Sequence, residues 1–213
     1  MKHSLVLTIL CMCVMIVNAQ PHYIVEAGYV LSANYSPSLV LQHPLNGAQI
    51  EASVNHQFKF FPLLGFKIGL GYRFEGYYSS KRSLSRPNYQ YTKGDYEYLV
   101  DQSVFLPVRF TMNFDVSDWN IRVLTGPSLS YHWWKEEKYT AAASPKKISG
   151  NLGEVYLPWD CSWGIGVGCS YKHLYLELDY DTGLFDRTRN SHVASVMNTF
   201  ISRNFSLMAG YEF

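Results

Sequence analysis

Ser103, His132 and Asp160 supply the three side-chain types of a hydrolytic site: a hydroxyl nucleophile, an imidazole base and a carboxylate to orient it. They are widely separated in the chain, so only a fold that sets strands side by side would assemble them. A second ionisable set, Glu26, Glu51, Lys67, Arg73, Glu75, Arg109, Arg122, Glu177, Asp179 and Asp181, sits at alternating positions in otherwise apolar stretches. Buried charges must pair or cost several kcal/mol each. Because both signs are present, a salt-bridged filling is favoured over an ion or proton path. Gly164-x-Gly166-x-Gly168 has strand spacing and no helix after it, which argues for room beside a sheet rather than a phosphate loop. The seven histidines never pair at metal-ligand spacing and no Cys-x-x-Cys occurs, so neither a metal nor another cofactor is expected. A formal charge of +1 gives no argument for nucleic acid.

The start of the chain bears on where such chemistry would operate. Lys2 and His3, an apolar run over 5–17 and Val17-Asn18-Ala19 read as a secretory signal peptide over 1–19, cut after Ala19. The run is short for a ~20-residue helical span and is followed at once by Gln20-Pro21-His22. Thr8-Ile9-Leu10 before Cys11 lacks the small residue of a lipoprotein signal. Loss of the leader removes Lys2 and brings the formal charge from +1 to zero. Cys161 and Cys169 remain; on one strand they would lie about 26 Å apart at ~3.3 Å per residue, beyond a disulfide. Aromatic and charged residues each make up 16% of the chain, where a soluble domain has about 25% charged.

The elements that would position these residues alternate with period two. Leu64, Phe66, Ile68, Leu70, Tyr72 and Phe74 oppose Gly65, Lys67, Gly69, Gly71, Arg73 and Glu75. The same split runs from Val104 to Phe114, through Trp119, Ile121 and Val123, from Trp159 to Tyr171, from Leu174 to Tyr180 and from Phe205 to Phe213. Weaker segments near 23–36 and 48–60 complete eight strands in the single domain 20–213. Tight links near 59–62, 117–118 and 172–173 alternate with long polar ones near 37–47, 79–95, 135–155 and 185–197.

Alternation alone does not say which face is inside, and a secreted lipocalin-like barrel would turn the apolar face inward. Three features point the apolar face to lipid. The polar face is glycine-rich and sparsely charged, as a narrow lumen requires. Aromatics collect at two levels: Tyr72, Phe74, Tyr98, Tyr131, Trp133 and Trp159 at one, Phe58, Phe114, Trp119, Tyr171, Tyr211 and Phe213 at the other. Such girdles mark the headgroup planes. Arg203, on the apolar register of the last strand, stands about 25 Å above Phe213 at ~3.3 Å rise and a ~40° tilt, the height of the apolar band. The expected fold is an all-β, eight-stranded, antiparallel, up-and-down transmembrane barrel, with short periplasmic turns and long extracellular loops.

Phe105-Leu106-Pro107-Val108-Arg109-Phe110 resembles the apolar-Pro-apolar strand of the small outer-membrane β-barrel proteins abundant in Bacteroidetes, the PorT-like family. Thr125-Gly126-Pro127-Ser128-Leu129-Ser130-Tyr131 is similar to its Gly-Pro strand, and Met208-Ala209-Gly210-Tyr211-Glu212-Phe213 to its terminal Gly-Tyr-x-Phe. Val108-Arg109 departs from the aliphatic continuation usual there. The resemblance implies insertion into the outer membrane of a Gram-negative bacterium by the barrel-assembly machinery, with Tyr211 and Phe213 as the C-terminal signal. It implies no activity, although some members are linked to type IX secretion. Pro107 and Pro127 each remove a ladder donor, and a local bulge is expected at them.

An eight-stranded bore is just wide enough for its own side chains. The sequence therefore reads as a non-enzymatic barrel with a charge network of Lys67, Arg73, Glu75, Arg109, Arg122, Glu177 and Asp179 in a filled lumen. An accessory of secretion is the alternative, and a lipid-directed enzyme using Ser103, His132 and Asp160 a further one. For the enzyme, counting from a turn at Ser117-Asp118 sets Ser103 opposite His132, with Asp160 near it across the next loop. Three ordinary polar lumen residues give the same pattern. The outer loops are basic, with Lys81, Arg82, Arg86 and Lys93 beside Tyr89 and Tyr91, then Lys135, Lys138, Lys146 and Lys147, then Arg187 and Arg189. Their expected partner is lipopolysaccharide phosphate, with an extracellular protein or glycan as the more specific possibility. Refolded protein should show heat-modifiable gel mobility with retained β-structure in detergent; full solubility without detergent would reject the barrel.

Overall fold

The computed structural model describes residues 20–35, 45–80, 96–141, 144–151, 157–187 and 201–213. The expected leader lies outside them. Nine strands follow in order: β1 (Gln20–Tyr35), β2 (Leu45–Phe58), β3 (Phe61–Ser80), β4 (Tyr96–Val116), β5 (Trp119–Ala141), β6 (Ser144–Asn151), β7 (Trp159–Tyr171), β8 (Leu174–Gly183) and β9 (Ile201–Glu212). Eight close into a ring, β1-β2-β3-β4-β5-β7-β8-β9 and back to β1, with every neighbour antiparallel. Among the described residues β6 pairs with β5 alone and lies outside the ring. The loop expected over 135–155 thus contains the end of β5 and a further strand.

The alternating residues sort as lipid on one side and a crowded bore on the other. On β7, Trp163, Ile165 and Val167 are exposed while Gly164, Gly166 and Gly168 between them are buried. On β9, Phe205, Leu207 and Tyr211 face out, and Ser206, Met208 and Glu212 face in. The buried set is mostly polar: Glu26, Asn55, Lys67, Arg109 and Arg122 are each at most 3% exposed. A water-soluble fold has the reverse arrangement.

Short links at Lys59-Phe60, Ser117-Asp118 and Lys172-His173 share one end with Gln20 and Phe213, as the pairings Gln20↔Gln57 and Phe58↔Phe61 and the bond from Phe213 N–H to Tyr23 O at 2.8 Å require. The long links lie at the other end. Ser117 and Lys172 take left-handed φ values of 58° and 57°, each at the first position of a two-residue hairpin. Aromatic pairs mark both rims. Tyr72 stacks on Trp133 at 5.5 Å and Tyr131 meets Trp159 at 4.6 Å at the outer level; Trp119 meets Tyr171 at 4.7 Å and Tyr211 meets Phe213 at 4.8 Å at the inner. Arg203 is exposed opposite Ala33, in the outer part of β9.

The prolines do not displace the ladder. Pro107↔Ser128 and Phe110↔Thr125 belong to one unbroken register, with pairing interrupted only between them. The expected bulge falls higher instead, where Ser103↔His132 gives way to Gln102↔Trp134 and one residue of β5 is gained. A missing donor costs a single hydrogen bond, whereas a register shift would turn every later side chain to the wrong face. Lumen glycines give the side chains of opposite strands their space. A Cβ on Gly28 would collide with the Leu207 carbonyl and the Met208 backbone, neither of which can swing away. Gly28→Val should lower barrel stability by ~1–3 kcal/mol, the usual cost of overpacking, read as a lower urea midpoint in the band-shift assay.

Candidate functional site: the lumen and its two rims

Lumen charges arise because β-alternation puts every second residue inside a closed ring too narrow for bulk water. At mid-height Lys67 of β3 meets three carboxylates, with Nζ 2.5 Å from Glu26, 2.7 Å from Glu177 and 3.4 Å from Glu51. Tyr175, 1% exposed, donates its hydroxyl to Glu177. Its ring lies between two cations, 5.4 Å from Lys67 Nζ and 5.3 Å from Arg122 Cζ. One step higher, Arg109 donates to Asp181 at 2.6 Å and to the Gly126 carbonyl, with Asp179 at 3.5 Å. Arg73 donates to Gln49 at 2.8 Å, lies 3.4 Å from Glu75 and 3.5 Å from Asp181, and covers the Phe105 ring at 4.6 Å. Arg122 forms the inner end of the column, 2.5 Å from Glu212.

The structure places all seven residues assigned to the network in the bore, in three groups: around Lys67, around Arg73 and Arg109, which share Asp181, and at Arg122. Sequence reasoning missed Glu212, Asp101, Arg187 and Tyr175 as participants. Glu212 sat on the polar register of the last strand and was legible there. Asp101 was not, because the alternation fails in the outer part of β4. Arg187 is a correction: assigned to an outward-facing basic loop, it is 2% exposed and folded into the outer mouth. Its carbonyl accepts from Leu157 N–H at 2.8 Å, its guanidinium donates to Leu157 O at 3.3 Å, and Asp101 lies 3.9 Å away. Of the other loop cations, Lys81, Arg82, Arg86, Lys93 and Arg189 lie outside the described residues, as do Tyr89 and Tyr91.

At the same mouth Ser103 pairs with His132 in the ladder, and Asp160 pairs with Ser130 one step down the strand. His132 is held by a different acid from the one expected: its Nδ1 lies 2.7 Å from Asp101. Asp160 instead accepts from Ser202 at 2.6 Å. His132 and Asp160 line one cavity of about 10 Å3, room for a single water, with Arg187 also in its lining. An acid, an imidazole and a carboxylate there can hold and pass a proton. Among the described residues no cluster of histidines, cysteines and acids is arranged to hold a metal ion.

A closed antiparallel ring with apolar residues outside, charges inside, aromatic girdles and loops long at one end only is a transmembrane barrel of the outer-membrane class. The chain belongs to the outer membrane protein beta-barrel domain family, whose model matches residues 19–189. The protein accordingly resides in the outer membrane of a Gram-negative bacterium. The chain is similar in structure to Ail, the attachment invasion locus protein of Yersinia pestis, at 13% identity, with 91% of this chain and 99% of that one covered and a TM-score of 0.45. It is also similar to a major outer membrane protein of Thermus thermophilus, at 14% identity, 91% and 100% coverage and a TM-score of 0.47. Neisserial surface protein A is similar at 11% identity, 92% and 99% coverage and a TM-score of 0.41. None of the curated proteins matches the sequence.

Lys67 is the ion on which most of the column converges. Lys67→Met should cost ~3–5 kcal/mol, because it leaves buried carboxylates without a cation. Adding Glu177→Gln should recover part of that loss, measured by urea titration in detergent.

Proposed function

We propose that this barrel works from its outer surface, as a closed, non-enzymatic body that presents a projecting sheet to an extracellular protein or glycan. The projection of β5 is the observation that carries the reading. From Trp119 to Tyr131 the strand crosses the apolar band, about 30 Å of height at ~3.3 Å per residue and a ~40° tilt. It then continues over 134–141, on the order of 20 Å further. There it pairs with β4 on one side and β6 on the other, so that β3, β4, β5 and β6 form one sheet above the outer girdle. β6 pairs on one side only among the described residues. The edge that no described residue pairs offers backbone donors and acceptors to a further strand, the pattern by which extended peptides are captured.

The filled lumen supports the same reading, since Lys67, Glu26, Glu51, Glu177 and Tyr175 occupy the bore at mid-height. The size of the outer mouth supports a non-catalytic role: the cavity beside His132 and Asp160, with Arg187 in its lining, has room for about one water and none for a lipid or ester. Lys135, Lys138, Lys146 and Lys147 belong to the projecting strands β5 and β6, and so basic a sequence suits a surface rich in lipopolysaccharide phosphates. The motifs in β4, β5 and β9 support a place among the PorT-like barrels. Tyr211 and Phe213, both exposed at the inner rim, suit a recognition signal for the barrel-assembly machinery.

Replacing residues 136–151 with a two-residue turn should leave heat-modifiable folding intact and abolish capture on a protein and glycan array by cells displaying the barrel. Equal capture by the shortened form would overturn the proposal. In planar bilayers the wild type should show no stepwise conductance, and His132→Ala should leave lipid and ester turnover unchanged.

A further inference from the structure

Charge does not balance at the middle of the lumen. There Lys67 stands as one cation against the carboxylates of Glu26, Glu51 and Glu177, with no side chain of the four more than 6% exposed. Fully ionised, the group carries an excess of two negative charges. The neighbouring groups do not offset it. Arg109, one step higher, is engaged by Asp181 at 2.6 Å and Asp179 at 3.5 Å, and Arg73 by Glu75 and the same Asp181. Arg122, toward the inner end, is engaged by Glu212 at 2.5 Å and separated from Lys67 by the Tyr175 ring.

Of the three acids, Glu51 has the least to hold a charge. Glu177 accepts from Lys67 Nζ at 2.7 Å and from the Tyr175 hydroxyl, and Glu26 accepts from Lys67 at 2.5 Å. Glu51 Oε1 faces the same ammonium but stops 3.4 Å from it, buried and without a hydrogen bond. Its carboxyl lies against the wall of β3, where a Cβ on Gly69 would collide with it. Its partner across the ladder from β1 is Glu26, so two like charges would stand directly opposite each other, which destabilises a sheet. A buried carboxylate oxygen without a donor is costly, and carboxylates that share a site resist ionising together.

We propose that Glu51 is a proton-binding site of the folded barrel, held as the neutral carboxylic acid at neutral pH while Glu26 and Glu177 stay ionised on Lys67. The bound proton serves as a second cation of the group and halves its excess charge. Folding then takes up a proton that the unfolded chain, whose glutamates ionise above pH ~4.3, does not hold. Because the folded state carries the extra proton, barrel stability falls as pH rises above that value. Alkali loosens the tie that Lys67 makes across the lumen among β1, β2 and β8.

The test is infrared spectroscopy of the refolded barrel in detergent at neutral pH, with Glu51→Gln beside the wild type. The wild type should show the C=O stretch of a protonated carboxyl, shifted in heavy water, and Glu51→Gln should lose that intensity. An amide has the shape of the neutral acid and no proton to lose. Glu51→Gln should therefore match or exceed the wild-type urea midpoint at neutral pH. On going to alkaline pH its unfolding constant should rise about tenfold less per pH unit than that of the wild type, the weight of one proton. No protonated-carboxyl band in the wild type, a band undiminished in Glu51→Gln, or a wild-type pH dependence in folded Glu51→Gln would each overturn the proposal. Where the variant fails to fold, the NMR shift of the Glu51 carboxyl carbon in the labelled wild type decides: the acid value supports the proposal and the carboxylate value overturns it.

Discussion

Ladder closure between β1 and β9 is the constraint on which the rest depends. In hydrocarbon an unpaired peptide group has no water to turn to, so a sheet can cross only if its first and last strands pair. Here they do so from Ile24↔Glu212 to Tyr35↔Ile201. Once the sheet is a ring in lipid, the apolar residue of every alternating pair must face outward. Everything polar in the spanning strands is then forced into one bore, and the interior is polar by elimination.

That bore holds more charge than an eight-stranded ring can hydrate, and the structure resolves the conflict by tiers. Four buried cations reach carboxylates on strands other than their own: Lys67 joins β1, β2 and β8, Arg73 reaches β8 from β3, Arg109 reaches β8 from β4, and Arg122 reaches β9 from β5. The bridges cross the lumen where no backbone ladder can, so they tie opposite walls together. Lumen glycines are the steric counterpart: Gly71 leaves space for the Phe105 ring, and Gly164 for the Arg109 guanidinium and Asp181. A ring filled in this way is braced across its lumen as well as around its wall.

How much of this was legible in the sequence follows from the range of the signals. Period-two alternation and the contrast between short and long links are local, and they sufficed for the eight strands and for which residues face the lumen. The register near His132 was less accessible. Counting from the Ser117-Asp118 turn pairs Ser103 with His132, but a one-residue shift just above breaks the count. The acid that serves His132, Asp101, lies in a stretch where tyrosines and charges replace the apolar alternation. Nor could loop composition show that Arg187 turns inward. A loop arginine reads as solvated until the backbone bond between Leu157 and Arg187 is seen to carry it over the mouth.

The two mouths differ because the links at the two ends differ in length. At the outer end a long link has chain enough to fold back, and Arg187 closes the bore over His132, Asp101 and Asp160 with room left for about one water. At the inner end two-residue turns have nothing to fold back with, so the bore remains open up to the first cross-lumen bridge, Arg122 to Glu212. Up-and-down topology therefore sets more than which loops project. It also leaves the inner mouth open up to the buried Arg122 and Glu212, while at the outer mouth little space remains. Between the two ends stands the Lys67 cluster, with Glu26, Glu51 and Glu177 drawn in from three strands.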